Sequence, residues 1–309
     1  MAVSAYHNTY TAIGNREDLA DTIADLFADD APAYAMAKKV RATGTKHEWQ
    51  ADALADAAGT AVIEGADVSY TKRAFRARHI NYTHIRLRNW AVTHTQKAVT
   101  TAGVKNEMKR ELMMAMKELI RDYDKILLAT TDSGAGSTAA GRTSRGIQSA
   151  IQTNSGGGTG GGGTSKVYLT EARVNSTLQD IWNQGGDPRA LFCAGYQKRV
   201  ISQNFTAKTG FSWNQNASTR AAINNINKYE GSFGTLDIIP DRQNPGMRIA
   251  IVDPNHWRVA VLQDIKSYKG AKTASAYKGW VEAEMCLEWG NEKAHGLLNY
   301  LNTSGALTG

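Results

Sequence analysis

Apolar positions change their spacing several times along the chain. From Asn15 they follow a helical period: Leu19, Ile23, Leu26 and Phe27 share one face, Asn15 can cap, and Asp18 follows three residues later. Asp29-Asp30-Ala31-Pro32 ends this helix, because the residue before a proline is pushed out of the α region. Residues 44–94 then read as extended. Lys46–Gln50 and Tyr82–Thr93 have strand character, rich in β-branched and aromatic side chains. Between them Ala51–Ser69 is rich in Ala, Gly and Asp and has little to bury, which predicts a long excursion from the body of the fold. Connections of that length are uncommon and usually functional.

The helical period returns at Val104 and lasts to about Ala129. Met108, Leu112, Ala115, Leu119, Tyr123 and Ile126 fall on one face, and Lys109, Glu118, Arg121 and Lys125 cover much of the other. Such a helix spans about 38 Å at 1.5 Å per residue, so it reads as a spine backing a sheet. The run Ser155–Ser165 is almost all glycine and reads as a flexible loop. Beyond it, helix and strand alternate. Thr170 opens a helix to about Gln184, and strands are predicted at Ala190–Ala194, Thr235–Ile239, Met247–Val252 and Val259–Ile265. The cleanest strand is the last. Val281, Ala283, Met285, Leu287 and Trp289 alternate with Glu282, Glu284, Cys286 and Glu288. Period two predicts one buried face and one face carrying three carboxylates, either solvated or set against a basic segment.

Composition narrows the class. The chain has 309 residues, 42% hydrophobic and 21% charged, as a folded protein with a sizeable core should. No run of about 18 apolar residues predicts a membrane span, and Met1–Tyr10 lacks the basic start and apolar stretch of a signal peptide. Two cysteines, Cys193 and Cys286, cannot form a disulfide framework, so synthesis in a reducing cytoplasm is expected. The net charge of +7 is strongly segmented: residues 1–70 carry −6 and residues 71–110 carry +9. An acidic front followed by a basic stretch can pair copies of the chain, or set the basic stretch against nucleic acid.

Little chemistry assembles. None of the seven histidines has metal-ligand spacing, and no GxSxG elbow is present. Gly136-Ser-Thr-Ala-Ala-Gly141-Arg142-Thr143 matches a phosphate loop except for Arg142 in the lysine position, and a helix precedes it where a strand should. No catalytic residue, metal site or cofactor is expected. The cluster Lys72, Arg73, Arg76, Arg78, Arg86 and Arg88 brings no nucleic-acid-binding motif with it. It reads better as a patch between subunits, facing carboxylates such as Glu282, Glu284 and Glu288. Salt-dependent nucleic-acid binding through 72–88 is the competing expectation.

Several strings occur in a telling order. Arg16-Glu17-Asp18-Leu19-Ala20-Asp21 is followed by Thr45-Lys46-His47-Glu48-Trp49-Gln50-Ala51-Asp52, Asn81-Tyr82-Thr83-His84-Ile85 and Thr95-Gln96-Lys97-Ala98-Val99. Later come Gln197-Lys198-Arg199, Tyr229-Glu230-Gly231-Ser232-Phe233-Gly234-Thr235-Leu236, Asp253-Pro254 and Asn291-Glu292-Lys293-Ala294-His295. Together they resemble tailed-bacteriophage major capsid proteins with the Hong Kong 97-type coat fold, from about residue 14 to 300.

The resemblance implies an α+β fold. Residues 1–43 would be an N-terminal arm crossing to a neighbour, and 44–94 an extended loop with its flanking strands. The peripheral domain would take the spine helix and Gly-rich loop of 95–165 and the return strands of 258–309. Residues 166–257 would form the axial domain. The implied role is self-assembly as hexamers and pentamers into an icosahedral shell around double-stranded DNA, without sequence-specific binding. Portal protein, scaffold and decoration proteins would be further partners, in a virion assembled in the bacterial cytoplasm. An encapsulin-type compartment shares the fold class and is the runner-up. Surface ion pairs contribute only about 0–1 kcal/mol each, so apolar anchors should dominate subunit contacts: Leu19, Ile23 and Phe27 in the arm, Trp49 and Phe75 in the loop. Lys72, Arg73, Arg76 and Arg78 should add charge complementarity to Glu282, Glu284 and Glu288.

Overall fold

The computed structural model describes residues 30–204 and 226–304, apart from 53, 55–56, 58, 68–69, 71, 74, 102 and 159–165. The helix expected over 15–28, with Leu19, Ile23 and Phe27, lies outside the described residues, as does most of the glycine run.

In chain order the elements are α1 (Pro32–Met36), β1 (Lys38–Arg41), β2 (Lys46–Ala51), β3 (Ala77–Tyr82), β4 (His84–Thr93), α2 (His94–Ala98), α3 (Glu107–Leu127), α4 (Ile147–Ala150) and β5 (Ser155–Gly157). They continue with α5 (Glu171–Asn183), β6 (Ala190–Cys193), α6 (Gly195–Asn204), β7 (Lys228–Gly231), β8 (Gly234–Pro240), β9 (Ile249–Val252), β10 (Arg258–Lys269), β11 (Ala276–Glu288), a 3₁₀ turn (Glu292–Ala294) and β12 (Gly296–Asn299).

The spine helix is present and starts later than its periodicity suggested. Asn106 caps it, its side chain accepting from Lys109 N at 3.1 Å, and Glu107 in the first turn suits the positive end of the helix dipole. Ala115, Leu119 and Tyr123 are buried on the predicted face, and Leu127 is buried at its end where Ile126, only partly buried, was expected. They pack on a four-stranded sheet of order β1-β10-β11-β4, in which β1 runs parallel to β10 and the other pairs are antiparallel. The Tyr123 hydroxyl donates to Ala283 O at 2.5 Å, which fixes α3 across the middle of β11. Gly279 lets Trp90 lie flat on that face. A Cβ there would stand 2.5 Å from both the Trp90 ring and Tyr268 O.

A second sheet has six strands in the order β5-β12-β9-β6-β8-β7. Its central strands are short unbroken apolar runs, the mark of strands covered on both faces. Alternate residues go to different cores. Phe192, Ala250, Val252 and Leu297 join the core under α3, while Leu191, Ile249, Ile251 and Leu298 join a second core under α5 and α6. The two sheets therefore share apolar packing.

Sheet membership crosses the segment boundaries expected from the sequence. β10 and β11 sit with α3, but β12 pairs with β9 and β5 in the six-stranded sheet, and β5 is the first three residues of the glycine run, a strand where a flexible loop was expected. Leu297 and Leu298 point to opposite faces, and both are buried because a core covers each face of that sheet. A further two-stranded sheet, β2 with β3, stands apart as the root of the excursion. Thr83 divides β3 from β4, so the single strand expected over Tyr82–Thr93 changes sheets at its first residues.

Leu119 is fully buried between α3 and the sheet. Leu119→Ala is expected to cost about 2–5 kcal/mol, the usual range for such a truncation. Urea unfolding of the unassembled subunit should show a lower midpoint with an unchanged slope.

Candidate assembly surfaces

The excursion is held firmly at its root. Asn81 is fully buried, and its amide nitrogen donates to Leu287 O at 2.7 Å and to Ser144 Oγ at 3.1 Å. Its carbonyl oxygen accepts from Arg145 N at 2.8 Å. Trp49 packs edge-on against Trp289 with ring centroids 4.6 Å apart, and its indole N–H donates to Gly290 O at 2.7 Å. Trp49, expected as an anchor for a neighbour, is thus half-buried against its own chain. Its period-two position on β2 turns it toward the end of β11.

Beyond the root, residues 52–76 form no strand among the described residues. Leu54, Val62, Ile63, Tyr70 and Phe75 are each at least 80% exposed there. Lys72 lies over the Phe75 ring at 4.4 Å, Arg76 pairs with Asp52 at 3.5 Å, and Arg78 pairs with Glu48. Arg73 is exposed and makes no contact with another described side chain.

The basic stretch therefore splits. Its loop half stays at the surface. Its β4 half faces α3, where Arg86 and Arg88 both meet Asp122 at 2.7 Å and Arg88 also reaches Glu118 at 3.5 Å. Burial raises the Asp122 carboxyl, but hydrogen bonds and charge from Arg88 and Arg86 outweigh it and hold that group below the usual carboxylate range.

The carboxylate face of β11 is also unlike the solvated surface that alternation allowed. Glu284 and Glu288 are 5% exposed, and neither pairs with a basic residue of 72–88. Glu284 takes Arg142 at 2.5 Å and the Thr83 hydroxyl at 2.6 Å. Glu288 takes His47 at 2.9 Å and Arg258 at 3.1 Å. Burial raises the Glu288 carboxyl, and the hydrogen bond and charge of His47 with the charge of Arg258 more than reverse that, so it sits low. Glu282 is half-buried and accepts from the Trp280 indole at 3.1 Å. Cys286 fills the same face beside Ala42 and Ala260. Arg142, the odd residue of the phosphate-loop near-match, is committed to Glu284, and an isolated bridge between Gly134 and Thr143 closes that segment into a turn. Sequence reasoning missed Arg142, His47 and Arg258 as partners because they lie far from β11 in the chain. The readable signal was carboxylates on a strand too apolar to sit at the surface.

A buried site of another kind lies where α3 meets α1 and the second sheet. Asp124 is fully buried and accepts from Tyr34 N at 2.8 Å, and the carboxyl of Asp241, itself 2% exposed, acts on it. Burial, then the hydrogen bond and charge of Asp241, push Asp124 up to about 8. Among the described residues no group of histidine, cysteine and carboxylate side chains could hold a metal ion. No helix of the described residues is long and apolar enough to cross a membrane.

The family model described as SU10 major capsid protein matches residues 5–302. The chain belongs to that family. This SU10-type subunit is a major capsid protein of a tailed bacteriophage, a component of an icosahedral virion shell. No curated protein matches its sequence. Solved structures resemble it throughout. The chain from Mycobacterium phage Bobi is 12% identical with a TM-score of 0.63, over 92% of this chain and 95% of that one. The capsid of the empty GTA particle is 14% identical with a TM-score of 0.66, over 96% and 99%. The holo-SrpI encapsulin complex from Synechococcus elongatus PCC 7942 is 9% identical with a TM-score of 0.58, over 94% of each chain. At such identities these likenesses establish the fold, which is the Hong Kong 97-type coat fold.

Two outcomes follow for the capsid subunit. Arg142→Ala leaves Glu284 buried without its cation and should cost about 3–5 kcal/mol, whereas adding Glu284→Gln should recover most of that loss in chemical unfolding. Asp124 gives a pH signature. An unfolded aspartate ionises near about 3.9, so between about 4 and about 8 the native chain keeps a proton that the unfolded chain has lost. The contribution of Asp124 to stability is thus largest below that window and falls as pH rises through it. Asp124→Asn should gain stability relative to the parent chain as pH is raised from about 5 to about 8.

Proposed function

We propose that this chain assembles as hexamers and pentamers of itself into the shell that encloses double-stranded DNA, and that residues 52–76 form the reach by which each subunit grips a neighbour. One observation carries the reading: a root fixed by Asn81, Trp49 and the Glu288 cluster supports an extension whose large apolar side chains find no cover among the described residues. Segments that cannot bury themselves alone gain stability only when another copy covers them. Phe75 and Tyr70, with Lys72, Arg73, Arg76 and Arg78 around them, are the contacts of this kind. Glu284 and Glu288 instead serve the interior of the subunit, and Glu282, half-buried on the same face, is left as the carboxylate with a surface role.

In this reading the α3 sheet is the peripheral domain and the six-stranded sheet is the axial domain that gathers around capsomer axes. Residues 1–43 form the arm, of which Leu19, Ile23 and Phe27 are the apolar side. The DNA is contained by the shell without sequence-specific contacts. Portal, scaffold and decoration proteins are its further partners, and synthesis takes place in the host cytoplasm. The role is structural and needs no cofactor. Phe75→Ala combined with Tyr70→Ala should leave the stability of the unassembled subunit within about 0.5 kcal/mol, as surface changes usually do, while cutting the yield of closed shells by about tenfold or more in electron micrographs. An unchanged shell yield would overturn the assignment of 52–76.

A further inference from the structure

α1 has no cap of its own. Ala31, at its N-terminus, offers no side-chain acceptor. α3 supplies the missing acceptor through Asp124, whose Oδ1 takes the Tyr34 N–H at 2.8 Å and whose carboxyl is also bonded by the Ala33 backbone. That leaves Asp124 Oδ2, which is buried and meets no donor.

The group that bears on it is a second carboxyl. Asp241 is the first residue after β8. Its backbone N–H is tied to Cys193 O at 2.8 Å, its Oδ1 accepts from Gln243 N at 2.7 Å, and its Oδ2 is likewise buried without a donor. The turn that it opens is fastened to the six-stranded sheet. Asn244 donates to Phe192 O at 3.1 Å and to Arg248 O at 3.0 Å, and accepts from Gln148 at 2.6 Å. Asp124 and Asp241 therefore stand where the end of the spine helix meets that sheet.

No cation offsets them. Arg242, the next residue, turns outward to Asp30 at 3.4 Å. Lys198 on α6 donates to Ile226 O and to Asn227 Oδ1. The Cys193 thiol beside Asp241 is pushed up to about 12 by burial and stays neutral. Tyr34 on α1 and Tyr123 on α3 bring no positive charge. Among the described residues no lysine, arginine or histidine pairs with either carboxyl. Two buried like charges in contact do not both persist, and a bond between two carboxyl oxygens needs a proton on one of them.

We propose that Asp124 and Asp241 form a proton-operated clasp between the spine helix and the six-stranded sheet: one shared proton bonds the carboxyls and holds the turn 241–248 to α3, and release of that proton to solvent leaves two anions that drive the turn off the helix. The proton is the one species gained or lost. Asp124 keeps its bonds to α1 in both states, because an ionised carboxylate is the stronger acceptor. The turn is the part that shifts. Phe192, Val252 and Leu297 remain packed in the core under α3, so the opening is local. An asparagine at 124 could donate to Asp241 at every pH, whereas an aspartate does so only while protonated. Burial and Asp241 hold Asp124 up to about 8, so the clasp is closed at neutral pH and opens as pH rises through about 8.

The clasp lies within one subunit and is tested on the unassembled full-length chain. Infrared difference spectra should show a protonated-carboxyl band at about pH 6 that fades as pH rises through about 8 and is absent from Asp124→Asn. Hydrogen exchange in 241–248, corrected for its intrinsic pH dependence, should rise about tenfold across the same midpoint in the parent chain and stay flat in Asp124→Asn. Asp241→Asn is the second variant. It removes the neighbouring charge, so the band should fade about one unit or more lower in pH and exchange in the turn should again stay flat. A parent chain without the band, or a band that persists in Asp124→Asn, would overturn the proposal. So would exchange that rises equally in the parent and both variants, or that rises in every segment together.

Discussion

A carboxylate taken out of water must be met by cations or donors, and β11 takes two of them out. Around these two residues its far face is closed by the root of the excursion and the turn that carries Arg142, so Glu284 and Glu288 are almost cut off from solvent. Their partners come from four places in the chain: His47 on β2, Thr83 at the switch between sheets, Arg142 in the turn after α3, and Arg258 at the start of β10. Buried pairs of this kind contribute little net stability compared with an apolar replacement, but losing one partner is costly. The arrangement therefore specifies position more than it adds stability. It sets where the excursion leaves the body.

The rest of the architecture divides stiffness from reach. The root of the excursion is buried and multiply hydrogen-bonded, while its outer part presents apolar side chains that no described residue covers. α3 gives the root a rigid support through Tyr123 and the Arg86–Asp122–Arg88 cluster. The six-stranded sheet shares its apolar core with α3, so a force on the excursion passes into packed side chains.

Much of this was legible in the sequence. Regular periodicity gave α3, α5, β8, β9 and the alternating core of β11, since the periods 3.6 and 2 are direct consequences of backbone geometry. Short runs were harder. β5 is three residues of Ser and Gly with no apolar signal, and it is a strand only because β12 lies beside it. α6 and β1 likewise depend on tertiary cover. The capsid resemblance was carried by strings that include two residues fixing the root of the excursion, Trp49 and Asn81. The exposed apolar and basic character of the excursion was legible, but which carboxylates face inward was not. Alternation says that Glu284 and Leu287 point to opposite sides; it does not say whether a second layer covers the far side. Trp49 shows the same limit, an aromatic residue in a polar segment whose partner stands at position 289.

β12 has a consequence in time. It is an interior strand of the six-stranded sheet, between β5 and β9, yet it is made after every other described strand. Until residues 296–299 emerge, β5 has no neighbour, and the Leu297 and Leu298 positions in both cores stand empty. Pairings this distant in sequence are slow to form because the loop must close before the contact repays it. A nascent chain still tethered to its ribosome is thus kept from offering a finished surface to its neighbours. The order of synthesis itself separates making subunits from joining them.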